Sequence, residues 1–559
     1  MNRREFVGTT TAAAAAAMGL DRPASATHLQ STAYLFRGAV VYDGTGSPPM
    51  EVEVLVVGDR IAEVARRVSR SGAEVVDLGG HALAPGFIDI HTHTDLNLFV
   101  SPLAESKIRQ GVTTEVTGQD GDSIGPWTAE RTQRFRERSK SRYGFELTIR
   151  DIADFLREIE RHGTAVNLAT MVGQGTVREH VVGVQDRPAT PEEIEQMRRL
   201  VADALEQGAC GMSSGLEYVP GAFTPLEELV AVARPLSALR LPYATHMRNE
   251  DDRVLAAIEE AINVGRLADV PVQISHLKAQ NQRNWWKARV MLTTLEAARE
   301  DGIDVTYDRY PYVAFSTGLT NLFPVWSRDG GTAGLLERLE QPETASAIEA
   351  GVRAKVNALG SWDAVQVTST ADSTYAWAVG RKLGELARER GEEPYALLLA
   401  LITGNRGSCG MVGFGMSEEN TERILSHPLG MVCSDGSALA VDGPLAAGTP
   451  HPRSFGTFPR VLGYYCRDRG AMPLETAIHK MTGMPAARLR FAERGLIRPG
   501  AFADLVAFDP DAVADRATFA NPHQYPVGIP HVMVNGTFAL RDGEHTGALA
   551  GRIVKPDPA

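Results

Sequence analysis

The sequence predicts an α/β protein: a (β/α)8 TIM barrel with a small β-sandwich domain formed by both termini and an inserted subdomain before the last barrel strand. Three observations predict it. Eight short apolar segments alternate with charged, helix-patterned segments through the middle of the chain, the mark of parallel strands joined by crossover helices. Further short strands, separated by turn pairs such as Asp43-Gly44 and Gly58-Asp59, stand at the two ends. Histidine and aspartate recur just after several of the central strands, where a barrel assembles its chemistry.

Residues 1–26 read as a targeting segment. Arg3-Arg4-Glu5-Phe6-Val7 is a twin-arginine start, Thr9 to Leu20 is an Ala-rich apolar stretch, and Ala24-Ser25-Ala26 offers a small-residue cleavage site. The apolar run is too short to span a bilayer. The expectation is a bacterial protein exported folded, to the periplasm or the medium. Residues 27–84 supply the N-terminal part of the β-domain, with strands expected over Tyr34 to Tyr42 and Val52 to Val57. Residues 85–490 form the barrel. After the strand before His91 come Val112 to Val116, Ala165 to Met171, Gly208 to Ser213, Leu241 to Ala244, Val270 to Ile274, Ile303 to Tyr307 and Gly430 to Cys433. Pro191 to Glu206 and Asp252 to Leu267 are expected helices between them. More than a hundred residues separate the last two strands, so an insertion is expected at about 313–410. Residues 491–559 return to the β-domain through Ala503 to Phe508 and His531 to Gly536.

Hydrophobic content of 43% and charged content of 23% are those of a soluble globular protein. A net charge of -12 argues against nucleic acid or an anionic membrane as partner. Cys210, Cys409, Cys433 and Cys466 show no zinc-finger or Cys-x-x-Cys spacing, and no disulfide framework is expected.

The most informative motif is His91-Thr92-His93, closing the apolar run Ala84 to Ile90. In extended chain, alternate side chains share a face, so both imidazoles point at one spot and form a ready pair of metal ligands. Thr117-Gly118-Gln119-Asp120-Gly121-Asp122 follows the second strand, Thr245-His246-Met247-Arg248 the fifth, Ser275-His276-Leu277-Lys278 the sixth, and Ser434-Asp435-Gly436 the eighth. Taken singly, each histidine has a reading as a core residue and each aspartate as a turn or helix cap. Five strand ends bearing ligand-type residues point together to one shared pocket.

This set, with Pro85-Gly86-Phe87-Ile88-Asp89-Ile90, resembles the amidohydrolase superfamily, and more narrowly the N-acyl-D-amino-acid deacylases. Gly208 to Tyr218, Asp308-Arg309-Tyr310-Pro311-Tyr312, Pro450-His451-Pro452-Arg453 with its continuation to Gly463, and Glu493 to Gly500 carry the narrower likeness. The resemblance covers residues 34–540. It implies a metal-bearing barrel in which His246 and His276 hold one zinc while His91, His93 and Asp435 line the neighbouring position, one or both being filled. The sequence departs from the deacylase pattern at Asp120, where the family carries a cysteine ligand shared between the two positions. A carboxylate still binds zinc, and being harder it shifts preference toward manganese or iron. Glu217, at the end of the fourth strand, is a second candidate bridge, with Asp120 favoured. Gln174 stands where the family often has histidine.

The resemblance implies hydrolysis of an N-acyl-D-amino acid by metal-activated water, with Asp435 as the proton shuttle. Arg453 is expected to clamp the substrate carboxylate, helped by Lys278 and Tyr310, with Ser316 joining through its hydroxyl and Tyr218 lining the pocket. The alternatives are a cyclic-amide hydrolase of the dihydroorotase or hydantoinase type and a catalytically dead binding protein. The partner is a small molecule in either hydrolase reading.

Overall fold

The computed structural model describes residues 33–144 and 146–558. The twin-arginine segment, residues 1–26, lies outside the described residues.

Eight parallel strands build the barrel: β1 (Phe87–Asp89), β2 (Val112–Thr117), β3 (Asn167–Thr170, continued by Val172–Gly173), β4 (Met212–Gly215), β5 (Tyr243–His246), β6 (Val272–Ile274), β7 (Val305–Arg309) and β8 (Gly430–Val432). Each pairs in parallel with its sequence neighbour, from Phe87 opposite Val112 to Arg309 opposite Val432. The ring closes just beyond the strand ends, where Asp435 N–H donates to His91 O at 2.9 Å and His93 N–H donates to Gly436 O at 2.8 Å. Strand residues are buried almost throughout because helices cover the outside and side chains fill the inside.

Local chemistry explains where elements stop. The helix Pro191–Gln207 opens with a capping box: Thr190 Oγ1 accepts from Glu193 N–H, and the Glu193 carboxylate accepts from Thr190 N–H at 2.8 Å. Pro191 occupies its first turn and Gly208, at φ 114°, ends it. That is why the fourth strand begins at Met212 rather than at Gly208. The expected strand Tyr34 to Tyr42 divides into Ala33–Arg37 and Val40–Val41, because Gly38 takes φ 76° between them. His531–Val534 turns through Asn535 and Gly536, both at positive φ, into Thr537–Arg541; this two-residue turn suits a hairpin's right-handed twist.

The chain ends form two sheets. One is four-stranded and N-terminal; the other combines Val40–Val41 and Ala82–Pro85 with Leu505–Phe508, His531–Val534 and Thr537–Arg541. Phe36, Val54 and Val76 from the first sheet meet Val41, Leu83, Leu505 and Met533 from the second in one apolar core. Between β7 and β8 the chain builds a three-stranded antiparallel sheet, Ala314–Gly318, Val365–Thr370 and Cys409–Phe414, flanked by helices such as Pro342–Leu359. Its Phe315, Leu319 and Leu322 share a core with Ile88, Val116 and Met431 of the barrel.

A buried polar clamp fastens the small domain to the barrel base. Asp504 pairs with Arg494 and accepts from Asn167 Nδ2 at 3.1 Å, while Asn535 N–H donates to Asp504 Oδ1 at 2.8 Å. Removing one partner of a buried pair leaves the other charge uncompensated. Asp504→Leu is therefore expected to lower stability by about 3–5 kcal/mol, read by denaturant unfolding, and adding Arg494→Met should recover part of the loss. An unchanged midpoint in the single variant would remove the clamp.

Candidate metal centre and its pocket

The four histidines and two aspartates reach one point at the C-terminal face. His246 is the last residue of β5, whereas His276 lies beyond β6 in a backbone at φ 37°. Asp120 and Asp435 also take positive φ, 53° and 50°, a conformation costly for side chains other than glycine that is retained where surrounding structure holds it. The tightness is visible at Gly215: a Cβ there would lie 2.0 Å from Asp120 O. Only glycine lets the Asp120 loop rest on β4.

Asp120 sits at the centre. Its Oδ1 is 3.4 Å from both His91 Nε2 and His276 Nε2, and its Oδ2 is 3.5 Å from His93 Nε2 and 3.7 Å from His246 Nδ1. His246 Nδ1 and His276 Nε2 face each other at 3.0 Å. Asp435 Oδ1 lies 3.1 Å from His93 Nε2 and 3.8 Å from His91 Nε2, and its Oδ2 accepts from Arg453 Nη1 at 2.7 Å. Glu217, the second candidate for a shared ligand, approaches only one of these histidines, at 3.6 Å from His246 Nε2.

The electrostatics follow from this crowding. Burial alone would lower the histidines, but Asp120 with Asp435 raises His93 to about 9, and Glu250 with Asp120 raises His246 to about 10. Burial would raise the carboxyls, yet Arg453 and His276 hold Asp435 well below the usual range, as His91 and His276 do for Asp120. The carboxylates gather positive charge wherever they find it, and a cation is what the cluster is built to receive.

The surrounding cavity, about 510 Å³, is lined by Lys278, Tyr310, Ser316, Tyr218 and Arg453 as well as the cluster. Arg453 lies over the Tyr310 ring, 5.0 Å from its centroid, and the buried Tyr310 hydroxyl has no hydrogen-bond partner. Tyr218 packs on His246 with ring centroids 4.7 Å apart. Gln174 is drawn away: it is buried and donates to Thr224 Oγ1 at 3.0 Å. His451 links the insertion to Arg453. It accepts from Arg453 N–H at Nδ1 and meets Ala314 O at Nε2, both at 3.0 Å. Those two contacts require the neutral ring, and burial followed by the Arg453 charge holds its pKa well below the ordinary value.

Three supporting roles were not legible in the sequence. Glu250 lies four residues after His246 in a loop without periodicity. Asp308, inside β7, is 3.6 Å from His91 Nδ1 and accepts from His276 N–H at 2.8 Å. Lys107, fully buried, donates to Asp89 at 2.7 Å and Ser434 Oγ at 2.8 Å and lies 3.0 Å from Glu115, pinning the ends of β1, β2 and β8. Each is visible only once separate strands are side by side.

Known proteins share this architecture over nearly its whole length. The amidohydrolase family model matches residues 74–401 and 420–539. D-aminoacylase of Alcaligenes xylosoxydans xylosoxydans is 39% identical over 522 residues, 93% of this chain and 97% of that one. A D-aminoacylase structure, described for a binuclear metal centre with one-metal activation and second-metal attenuation, superposes with a TM-score of 0.78 at 38% identity, covering 93% of this chain and 99% of the other. An N-acyl-D-glutamate deacylase from Bordetella bronchiseptica, solved with zinc and a phosphonate mimic of the tetrahedral intermediate, gives a TM-score of 0.78 at 32% identity over 94% of this chain and all of the other. By sequence and by fold, this chain belongs to the amidohydrolase family, on the branch of the N-acyl-D-amino-acid deacylases.

Proposed function

We propose that this chain hydrolyses the linear amide of N-acyl-D-amino acids, giving a carboxylate and a free D-amino acid, at a metal held by His91, His93, Asp120, His246, His276 and Asp435. The carrying observation is the meeting of four histidines around the Asp120 carboxylate beside the buried Arg453–Asp435 pair. The residues fit a metal: His91 Nε2 and Asp120 Oδ1, 3.4 Å apart, are both buried without a hydrogen-bond partner, a costly state unless a cation takes their lone pairs. Imidazole and carboxylate donors suit zinc, and also manganese or iron. Zinc in the N-acyl-D-glutamate deacylase and the binuclear centre of D-aminoacylase support one or two ions here.

When bound, the metal supplies Lewis acidity to the scissile carbonyl and lowers the pKa of water toward about 7. Asp435 takes the proton of the attacking water and delivers it to the departing amine, which leaves poorly as an anion. Arg453 offers a planar fork to the substrate carboxylate, with Lys278 and the unpartnered Tyr310 hydroxyl beside it and Ser316 and Tyr218 on the cavity wall. The twin-arginine start of the sequence supports action outside the cytoplasm, in the periplasm or medium.

Asp435→Asn should lower kcat by about 10²–10⁴-fold with metal still bound by elemental analysis, because the amide keeps an oxygen donor and the other ligands remain; normal turnover would sink the shuttle. Arg453→Ala should raise KM for carboxylate-bearing amides and also lower kcat, because Arg453 is bonded to Asp435 as well; an unchanged KM would remove the clamp. Asp120→Ala should reduce bound metal, and retention of the full complement would move the shared ligand elsewhere. His93 holds a proton up to about 9 in the metal-free protein, and only neutral imidazole binds a metal. Metal affinity should therefore rise with pH and fall as pH drops below that value. Calorimetry at pH 7 in buffers of different ionisation enthalpy should count at least one proton released per ion, and none released would contradict this charge assignment.

A further inference from the structure

Glu250 is 2% exposed and belongs to no motif, yet it touches the outer side of both histidines that face each other across the centre. Its Oε1 is 3.1 Å from His276 Nδ1, and its Oε2 is 3.9 Å from His246 Nε2 and accepts from Gln280 Nε2 at 2.9 Å. The same Oε1 accepts from Lys278 Nζ at 2.5 Å. Lys278 spends its other two N–H groups on His276 Nδ1 at 2.7 Å and His276 O at 3.0 Å. An ammonium has three donors and no acceptor, so all three face inward. Among the described residues, His246, Glu250 and His276 also form a second metal-type cluster, and the Lys278 ammonium is bonded to two of its members, Glu250 and His276.

The imidazole of His276 cannot satisfy both neighbours at once. A neutral ring carries one proton. If Lys278 donates to Nδ1, the proton is on Nε2, the nitrogen that faces Asp120 and His246. If Nε2 is instead to offer its lone pair to a metal, the proton is on Nδ1 and needs an acceptor. Glu250 Oε1 is that acceptor, and Lys278, then facing a donor, gives up its contact with the ring.

Resting on the reading of this cluster as a metal site, we infer that Glu250 is a positioning residue shared between His276 and Lys278, setting the metal-binding tautomer of His276 and freeing one Lys278 N–H for the substrate carboxylate in the same step. Metal occupancy and grip on the carboxylate are coupled through one buried oxygen. A second, acceptor partner on a ligating histidine typically governs metal affinity by about 10–100-fold. Linkage then requires that a carboxylate ligand, by recruiting Lys278, tighten the metal.

The test uses the full chain and zinc alone, titrated against a fluorescent chelator. Glu250→Gln, which keeps the shape and loses the anionic acceptor, should weaken zinc binding by about 10–100-fold, with Glu250→Asp recovering part. Lys278→Met should leave zinc affinity unchanged or tighter while raising KM for N-acetyl-D-amino acids. A free D-amino acid should tighten zinc in the native chain and fail to do so in Lys278→Met. Zinc affinity unaltered in a folded Glu250→Gln, or identical tightening in Lys278→Met, would overturn the proposal. Should Glu250→Gln fail to fold, imidazole ¹⁵N spectra of the native chain decide: zinc should produce an Nδ1–H on His276, and zinc at Nδ1 would overturn it. A native chain that takes up no zinc, manganese or iron would overturn the metal-site reading itself.

Discussion

Two backbone hydrogen bonds, Asp435 N–H to His91 O and His93 N–H to Gly436 O, close the barrel and with it the site. They join the loop after the first strand to the loop after the last, across more than three hundred residues of chain. Without this closure the histidine pair and Asp435 would stand on opposite edges of an open sheet. The buried Lys107, bonded to Asp89 at the end of the first strand and to Ser434 in the loop after the last, supports the same junction. The geometry of the centre thus depends on ring closure more than on any single side chain.

Once the ring is closed, charge compensation governs the rest. Asp120, Asp435, Glu217 and Glu250 are drawn into one buried volume with four histidines, Lys278 and Arg453. Isolated buried carboxylates would be costly, and paired ones are tolerated because each has a cationic or proton-bearing neighbour. The cations expected to grip the substrate are therefore engaged already, Arg453 with Asp435 and Lys278 with Glu250. A substrate carboxylate enters this network by exchange of partners. That makes specificity and catalysis hard to separate by single substitutions at Arg453.

The insertion walls the cavity, and the small domain braces the barrel at its base. Strand Ala314–Gly318 brings Phe315 and Ser316 to the cavity, and its first carbonyl is held to His451, whose other nitrogen receives Arg453 N–H. The carboxylate clamp and the cavity wall consequently move together. At the opposite end, the Asn167–Asp504–Arg494–Asn535 network ties the base of β3 to the terminal sheets.

Local pattern determined much of this protein. The alternation of apolar and amphipathic segments specified the barrel, because side-chain periodicity is a property of a few consecutive residues. The helix from Pro191 is legible for the same reason, and so are His91, His93, His246, His276, Asp120 and Asp435, whose positions at or just past strand ends are local facts. Strand starts were less legible: Gly208 belongs to a helix end and Gly38 breaks a strand, outcomes set by backbone dihedrals that apolar pattern does not encode. What only the tertiary structure decided is which groups meet. Asp120 approaches all four histidines while Glu217 approaches one, Gln174 turns away to Thr224, and Arg453 rests on Asp435. Glu250, Asp308 and Lys107 acquire roles only through neighbours on other strands. Hydrogen bonds and charge pairs act over about 3–4 Å in space, and separation along the chain says nothing about that distance until the barrel has closed.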